Sequence, residues 1–120
     1  MPFLNRLQVE PVPGTDKRRL LVSLCYMPHD QTIAIEVPAG FMTNYASVPR
    51  ALWSLFRPDA GDTRRAATIH DYLYWQHLYY SRRQVDKIFR QALKDDGAGF
   101  FKRWTMWAAV RAGGWAKWQD

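Results

Sequence analysis

The chain has 120 residues, enough for one domain with a buried core, and its 48% of hydrophobic residues exclude a disordered polypeptide. Seventeen Lys and Arg residues against eleven Asp and Glu residues give a formal net charge of +6. This charge predicts an anionic partner, whether nucleic acid, an anionic membrane surface or an acidic protein. The single cysteine, Cys25, cannot form an internal disulfide, and no apolar run is long enough to span a membrane.

The first third of the chain is predicted to form a small antiparallel sheet. Segment 7–12 (LQVEPV) indicates a short strand that ends in a turn. Segment 20–26 (LLVSLCY) predicts a strand whose alternate residues share one face, and segment 32–37 (TIAIEV) predicts the returning strand. We expect the two to form a hairpin within a three-stranded sheet.

The remainder is predicted to be helical. Gly40 allows the chain to bend away from the sheet, and Ser47 is suited to cap a first helix. Asp62 can cap a second helix over residues 63–78, on which a stripe that includes His70 recurs every three or four residues.

A capping box formed by Ser81 and Gln84 predicts the start of a third helix, which runs to about residue 94. The last helix extends from about residue 98 toward residue 118, with a break at Gly113–Gly114. The predicted fold class is therefore α+β, in a single domain over residues 1–120. A small N-terminal antiparallel β-sheet in a strand-rich part (1–45) precedes a helical part (46–120) with an antiparallel helical hairpin and a Trp-rich C-terminal helix.

Candidate site residues lie on the two helices of the predicted hairpin. His70 precedes the turn near residue 80 and Asp86 follows it, so the two lie at similar heights on facing helices. We expect Asp86 to accept a hydrogen bond from one ring nitrogen of His70, which leaves the other nitrogen available as a base. Asp71 is directed toward the edge of the groove, where a metal could bind, and Tyr74 lies one turn above His70.

The segments HDYLY (70–74) and VDKIF (85–89) together resemble the catalytic helices of secreted phospholipases A2. In that family the His activates a water molecule, the adjacent Asp binds calcium, and an Asp on the partner helix orients the His. The resemblance implies that His70 is the base, Asp71 a calcium ligand, Asp86 the orienting acid and Tyr74 its hydrogen-bonding companion. The chain differs from that family in having no disulfide framework and no glycine-rich loop before the helix.

A longer resemblance extends over most of the chain. The segments VPAGFMTNYASVPRALW (37–53), HDYLY (70–74), SRRQVDKIF (81–89) and AVRAGGW (109–115) are similar to a family of small phage and prophage proteins of unassigned role. Asn44 stands where that family usually has Asp, and its side-chain oxygen can still coordinate calcium. The resemblance implies a phage origin and no particular reaction.

Several readings of these residues stay open. His70 and Asp86 can equally form a buried polar pair that joins two helices without doing chemistry. Ser47 fits an N-cap better than a nucleophile, and Arg50 can pair with Asp71 or Asp59. One cysteine and scattered histidines do not supply four zinc ligands.

The last helix carries a stripe of aromatic and basic residues at spacings of three and four: Trp104, Trp107, Arg111, Trp115 and Trp118. The stripe is compatible with a membrane interface, a docking face for another protein, or aromatic closure of the core over the hairpin. No motif supports nucleic-acid binding.

Two functions of different classes follow. The first is a phage-encoded hydrolase that cleaves an ester at a membrane, with His70 as base and Ca²⁺ as a possible cofactor at Asp71. The second is a non-enzymatic phage virion or accessory protein that binds a protein partner. The N-terminus lacks a signal peptide's apolar core, so we expect synthesis in the host cytoplasm, with any later place in a virion or at the envelope reached through a partner or lysis.

Overall fold

A computed structural model describes residues 3–15, 17–28, 34–43, 64–76 and 80–113 of the chain. Within these ranges the chain forms short strands followed by helices, so the α+β class is confirmed. The strands are β1 (Val9–Pro11), β2 (Arg18–Leu20), β3 (Leu24–Tyr26), β4 (Ile35–Val37) and β5 (Met42–Thr43). The helices are α1 (Arg64–Gln76), α2 (Arg82–Asp95) and α3 (Phe100–Gly113).

The strands form two antiparallel sheets, in the orders β1-β2-β5 and β3-β4. The prediction of one strand over residues 20–26 was wrong, because the chain bends after Leu20 and the two halves join different sheets. Leu21 and Val22, next to each other, are 50% and 39% exposed, which breaks the alternation that one strand requires. The predicted hairpin itself is confirmed, since Leu24 pairs with Val37, but it forms a two-stranded sheet of its own and is not part of the three-stranded sheet.

The segment after β4 returns to the first sheet before the chain passes to the helices. Gly40 has a φ of 90°, a conformation that glycine adopts without steric cost, and its amide donates to the Leu20 carbonyl. The bend at Gly40 is thus as predicted, but it brings β5 alongside β2, with Arg18 opposite Thr43. This pairing fixes Thr43 beside helix α1.

Helix α2 begins with the predicted capping box, in which Ser81 accepts from the Gln84 amide and Gln84 accepts from the Ser81 amide. It ends before Gly97, whose φ of 103° suits a residue that stops a helix. The three helices pack in sequence, α1 against α2 and α2 against α3. None of the described helices combines the length and the hydropathy that a membrane span requires.

The core lies between the sheets and the helices. Its largest fully buried apolar side chains are Tyr26, Phe89, Leu20, Leu24, Ile69, Leu93, Met106, Val37, Val85 and Val110. Helix α3 contributes Met106 and Val110, whereas Trp104 is 37% exposed and Trp107 half-buried. The described part of the tryptophan stripe therefore does not close the core, and Trp115 and Trp118 lie outside the described residues.

Candidate functional site

Helices α1 and α2 bring His70 and Asp86 together inside the protein. The His70 Nε2 atom lies 2.7 Å from Asp86 Oδ1, and both side chains are 0% exposed. The contact agrees with the similar heights that the spacing on either side of the turn predicts. The Tyr74 hydroxyl also donates to Asp86 Oδ1, at 2.8 Å, which is the contact that the resemblance to phospholipases A2 implies.

Arg111 on α3 completes the shell of donors around Asp86. Its Nη1 atom lies 3.0 Å from Asp86 Oδ2, so each carboxylate oxygen has at least one donor. Burial raises the pKa of the Asp86 carboxyl, but hydrogen bonds from His70, Tyr74 and Arg111 outweigh it and hold that pKa below its ordinary value. Asp86 is therefore a buried anion.

The charge on Asp86 determines which nitrogen of His70 carries a proton. An ionised carboxylate can only accept, so Nε2 must donate to it. In the neutral ring the lone pair then belongs to Nδ1. Nδ1 is buried and has no hydrogen-bond partner among the described residues. The ring is thus oriented through Nε2, and within the described residues its Nδ1 atom is unpaired.

Aromatic rings fix the plane of the imidazole. The ring centroid of Tyr74 lies 4.2 Å from that of His70, and the Phe89 centroid lies 4.6 Å away on the neighbouring helix. With the whole residue only 1% exposed, His70 does not open directly to solvent. These neighbours therefore hold the His70 imidazole in one orientation and shield it from water.

Arg82 ties this cluster to the end of α3. Its Nε atom donates to the Tyr74 hydroxyl at 3.2 Å, and its Nη2 atom donates to the carbonyls of Val110 and Arg111 at 3.0 and 2.5 Å. Burial and the hydrogen bond to Asp86 raise the pKa of Tyr74, so its hydroxyl stays protonated as a donor. This role of Arg82 is not predicted by the sequence, whose spacing instead puts Arg111 on a binding face of the last helix. The signal that could have indicated a basic partner is Asp86 itself, because a buried carboxylate needs a cation nearby.

Asp71 faces a different part of the molecule from His70, although the two are adjacent on α1. It lines an open cleft of about 570 Å³ together with Lys17, Pro38, Gly40, Phe41, Met42, Thr43 and Trp75. The buried Thr43 hydroxyl donates a short hydrogen bond to Asp71 Oδ2. Asp71 thus lies at a cleft against strand β5, and Thr43 is a neighbour that the sequence did not indicate.

Calcium, the metal predicted at Asp71, takes six to eight oxygen ligands in proteins. The described residues supply one carboxylate there and the Thr43 hydroxyl, and they contain no group of three or more His, Cys, Asp or Glu side chains that could hold a metal. Asn44 lies outside the described residues, as do Ser47 and Arg50. A calcium site at Asp71 and Asn44 stays a prediction.

The chain matches the family described as "Protein of unknown function (DUF1353)" over residues 19–110, from strand β2 into helix α3. The matched part contains the whole cluster around Asp86 except Arg111. Comparisons with curated proteins and with solved structures gave no match. Because the match covers more than half of the chain, the protein belongs to this family of proteins of unknown function.

Proposed function

We propose that the protein is a hydrolase in which His70 acts as the general base. One observation carries the proposal: Nε2 is fixed by Asp86, while the buried Nδ1 has no partner among the described residues. A buried polar atom without a hydrogen bond costs about 1–3 kcal/mol of stability. A hydrogen bond that only joins two helices needs Nε2 alone, so it gives no reason for the unpaired Nδ1 atom. An oriented ring with an available lone pair is what general-base catalysis requires.

The residues around Asp86 suit a base that becomes charged during the reaction. When Nδ1 takes up a proton, the imidazolium lies against the anionic Asp86 carboxylate, which stabilises the new charge. Tyr74 and Arg111 keep the carboxylate in place by donating to both of its oxygens. These two are positioning residues, since they act through Asp86.

The proposed step is the hydrolysis of an ester. Nδ1 removes a proton from a water molecule as the water oxygen forms a bond to the ester carbonyl carbon. The tetrahedral intermediate then breaks its bond to the leaving oxygen, which receives the proton from Nδ1 as the alcohol departs. Because His70 is 1% exposed, the reaction requires a local opening through which water and ester reach Nδ1.

The proposed substrate is a phospholipid ester, and the proposed place of action is a membrane surface. The support for this class is the resemblance of HDYLY and VDKIF to the catalytic helices of phospholipases A2, together with the net charge of +6, which favours an anionic surface. Calcium at Asp71 belongs to the same resemblance. Among the described residues, the Asp71 carboxylate and the Thr43 hydroxyl are the donors that such an ion would meet, so the proposed step at His70 does not depend on it.

Two substitutions of His70 separate a base from a structural link. In His70→Gln the longer side chain brings an amide nitrogen near the position of Nε2, so the bond to Asp86 survives and Nδ1 is lost. His70→Asn has a shorter reach and loses the bond to Asp86. The hydrolase proposal expects both variants to lose about 10²–10⁴-fold in rate, and only His70→Asn to melt well below the wild type.

The assay is the release of fatty acid from mixed phospholipid vesicles, with and without millimolar calcium. Asp95→Asn is the matched control, because it makes a carboxylate-to-amide change at the other end of α2, where Asp95 accepts from Tyr26. This control should retain the wild-type rate, whereas Asp86→Asn should not. Equal rates in the wild type and in His70→Gln would refute the proposal.

A second candidate function is favoured by the complete burial of the cluster. Asp86 joins α1, α2 and α3 through His70, Tyr74 and Arg111, which is the arrangement of a structural link. The protein would then be a non-enzymatic phage virion or accessory protein. For this candidate we expect no hydrolysis by any variant, and a protein that needs His70 only for its stability.

A further inference from the structure

Helix α3 exposes a continuous set of aromatic rings. Phe100 and Phe101, at its first turn, are 69% and 73% exposed, and Trp104 is 37% exposed. The rings contact one another: the Phe100 and Trp104 centroids are 6.0 Å apart, and those of Trp104 and Trp107 are 5.5 Å apart. Apolar rings that are grouped and exposed are typical of an interaction surface, whereas single exposed apolar residues are normal on any protein.

A row of basic residues on α2 runs beside these rings. The spacings of four, three and four place the row on one side of the helix, and it comprises Arg83, Lys87, Arg90 and Lys94. The guanidinium of Arg90 stacks over Trp104 at 4.1 Å and lies 5.2 Å from the Trp107 centroid. Because Arg82 reaches the last turn of α3 while Arg90 reaches its middle, the helices are antiparallel and the two rows lie side by side.

Each described carboxylate in α2 and at its C-terminal end has a partner away from this surface. Asp86 is buried with His70, the Tyr26 hydroxyl donates to Asp95, and Arg65 forms an ion pair with Asp96. Helix α3 contains no acidic residue. The surface made by Arg83, Lys87, Arg90 and Lys94 with Phe100, Phe101, Trp104 and Trp107, called here the aromatic–cationic face, is therefore strongly positive.

We propose that the aromatic–cationic face docks the protein on an anionic lipid bilayer. The basic row would meet the headgroups, and the rings at the start of α3 would enter the interface between headgroups and acyl chains. A nucleic acid would instead stack its bases on open aromatic faces. Here guanidinium groups already cover two of those rings, Arg90 over Trp104 and Arg103 over Phe100, which favours the bilayer.

Docking is independent of any chemistry at His70, because it is measured as binding and not as turnover. The test is co-sedimentation of the full chain with vesicles of phosphatidylcholine alone, and with vesicles that also contain phosphatidylglycerol. We expect binding to the anionic vesicles, and we expect it to weaken as salt rises from 0.1 M to 1 M, since screening removes the attraction. Each lysine near an anionic surface contributes about fivefold to binding.

The double substitution Lys87→Glu with Lys94→Glu should therefore reduce binding to anionic vesicles by about 30-fold or more. Arg6→Glu with Arg19→Glu is the matched control, because it makes the same change in net charge at exposed positions in the sheet half of the molecule. The control should bind within about threefold of the wild type, because a screened charge acts only within about a Debye length. An equal loss in both double variants would overturn the proposal by showing that net charge alone drives binding.

The aromatic contribution is tested by Phe100→Ser with Phe101→Ser, which removes exposed rings and should leave the fold intact. We expect a loss of about tenfold or more on anionic vesicles, because apolar area no longer leaves water on docking. Unchanged binding in this variant would overturn insertion of the rings. Binding to single-stranded DNA in place of vesicles would overturn the lipid assignment and identify the face as a nucleic-acid surface.

Discussion

Replacing Asp86 by asparagine should destabilise the protein strongly, because it removes the anion on which three helices converge. The substitution keeps the size of the side chain and one carbonyl oxygen. That oxygen can still accept from His70 and Tyr74, which both contact Oδ1. The amide NH₂ group then takes the place of Oδ2, where it faces the guanidinium of Arg111 and cannot accept from it.

The magnitude follows from what remains unpaired. Removing one partner of a buried ion pair costs about 3–5 kcal/mol. The Arg111 side chain is 31% exposed and keeps part of its hydration, so the lower end of that range applies. We expect the free energy of unfolding to fall by about 3 kcal/mol, which lowers Tm by about 10 °C for a chain of this length.

Urea unfolding of the wild type, Asp86→Asn and Asp95→Asn between pH 3 and pH 7 measures the effect. The pKa of Asp86 is lowered from its ordinary value of 3.8 by folding, so the folded state favours the ionised form. The stability from this group is therefore fully present above about pH 4 and is lost as the pH falls through the folded-state pKa. The asparagine has no such dependence, so the gap between wild type and variant should narrow on acidification.

Two results would refute this reasoning. One is a loss in Asp86→Asn no larger than that in Asp95→Asn, whose half-buried side chain still accepts from Tyr26. The other is a gap that stays constant down to pH 3, which would mean that the charge on Asp86 contributes no stability. In either case the cluster would not be the anchor of the helical half.

Other perturbations test the neighbouring groups. Tyr74→Phe should lower the free energy of unfolding by about 1–3 kcal/mol near neutral pH. Because folding raises the pKa of Tyr74, the wild type should lose stability as the pH rises above 10, and the variant should lose less. Unfolding curves at pH 8 and pH 11 would detect this difference. If Asp71 holds calcium, the ion should raise Tm with increasing concentration in the wild type and not in Asp71→Ala, and a flat Tm up to millimolar calcium would contradict the site. Burial and the neighbouring Glu36 raise the pKa of the Cys25 thiol, so its reaction with a disulfide reagent at pH 8 should be slower than that of glutathione, and Glu36→Gln should accelerate it.

The central pair could be predicted from the sequence because helices impose fixed spacings. Once a turn near residue 80 was placed between two helices, His70 and Asp86 had to lie at similar heights, and the distance of 2.7 Å between their polar atoms agrees. The capping box at Ser81 and the stop at Gly97 were equally local signals. Each depends on residues within about one turn of each other.

Features that depend on distant parts of the chain were not predictable in this way. The strand over residues 20–26 looked continuous, because alternation says nothing about which partner each half will find. The Leu20 amide donates to the carbonyl of Phe41, far along the chain, whereas Leu24 pairs with Val37 in the other sheet. The helical spacing of the last helix likewise predicts Arg111 on an outward stripe. That spacing does not show that the neighbouring helix carries a buried carboxylate, with which Arg111 pairs.

His70 and Asp71 lie on different sides of helix α1, so catalysis at His70 and calcium binding at Asp71 can be tested separately. His70 faces α2 and is sealed, whereas Asp71, about 100° further around the helix, faces the cleft beside Thr43. A ligand in the cleft would therefore contact Asp71 without contacting Nδ1, unless the path between them opens. Loss of turnover in His70→Gln with unchanged calcium binding would show two separable parts of one enzyme. Calcium binding without any turnover would leave Asp71 as a structural site and His70 as a link between helices.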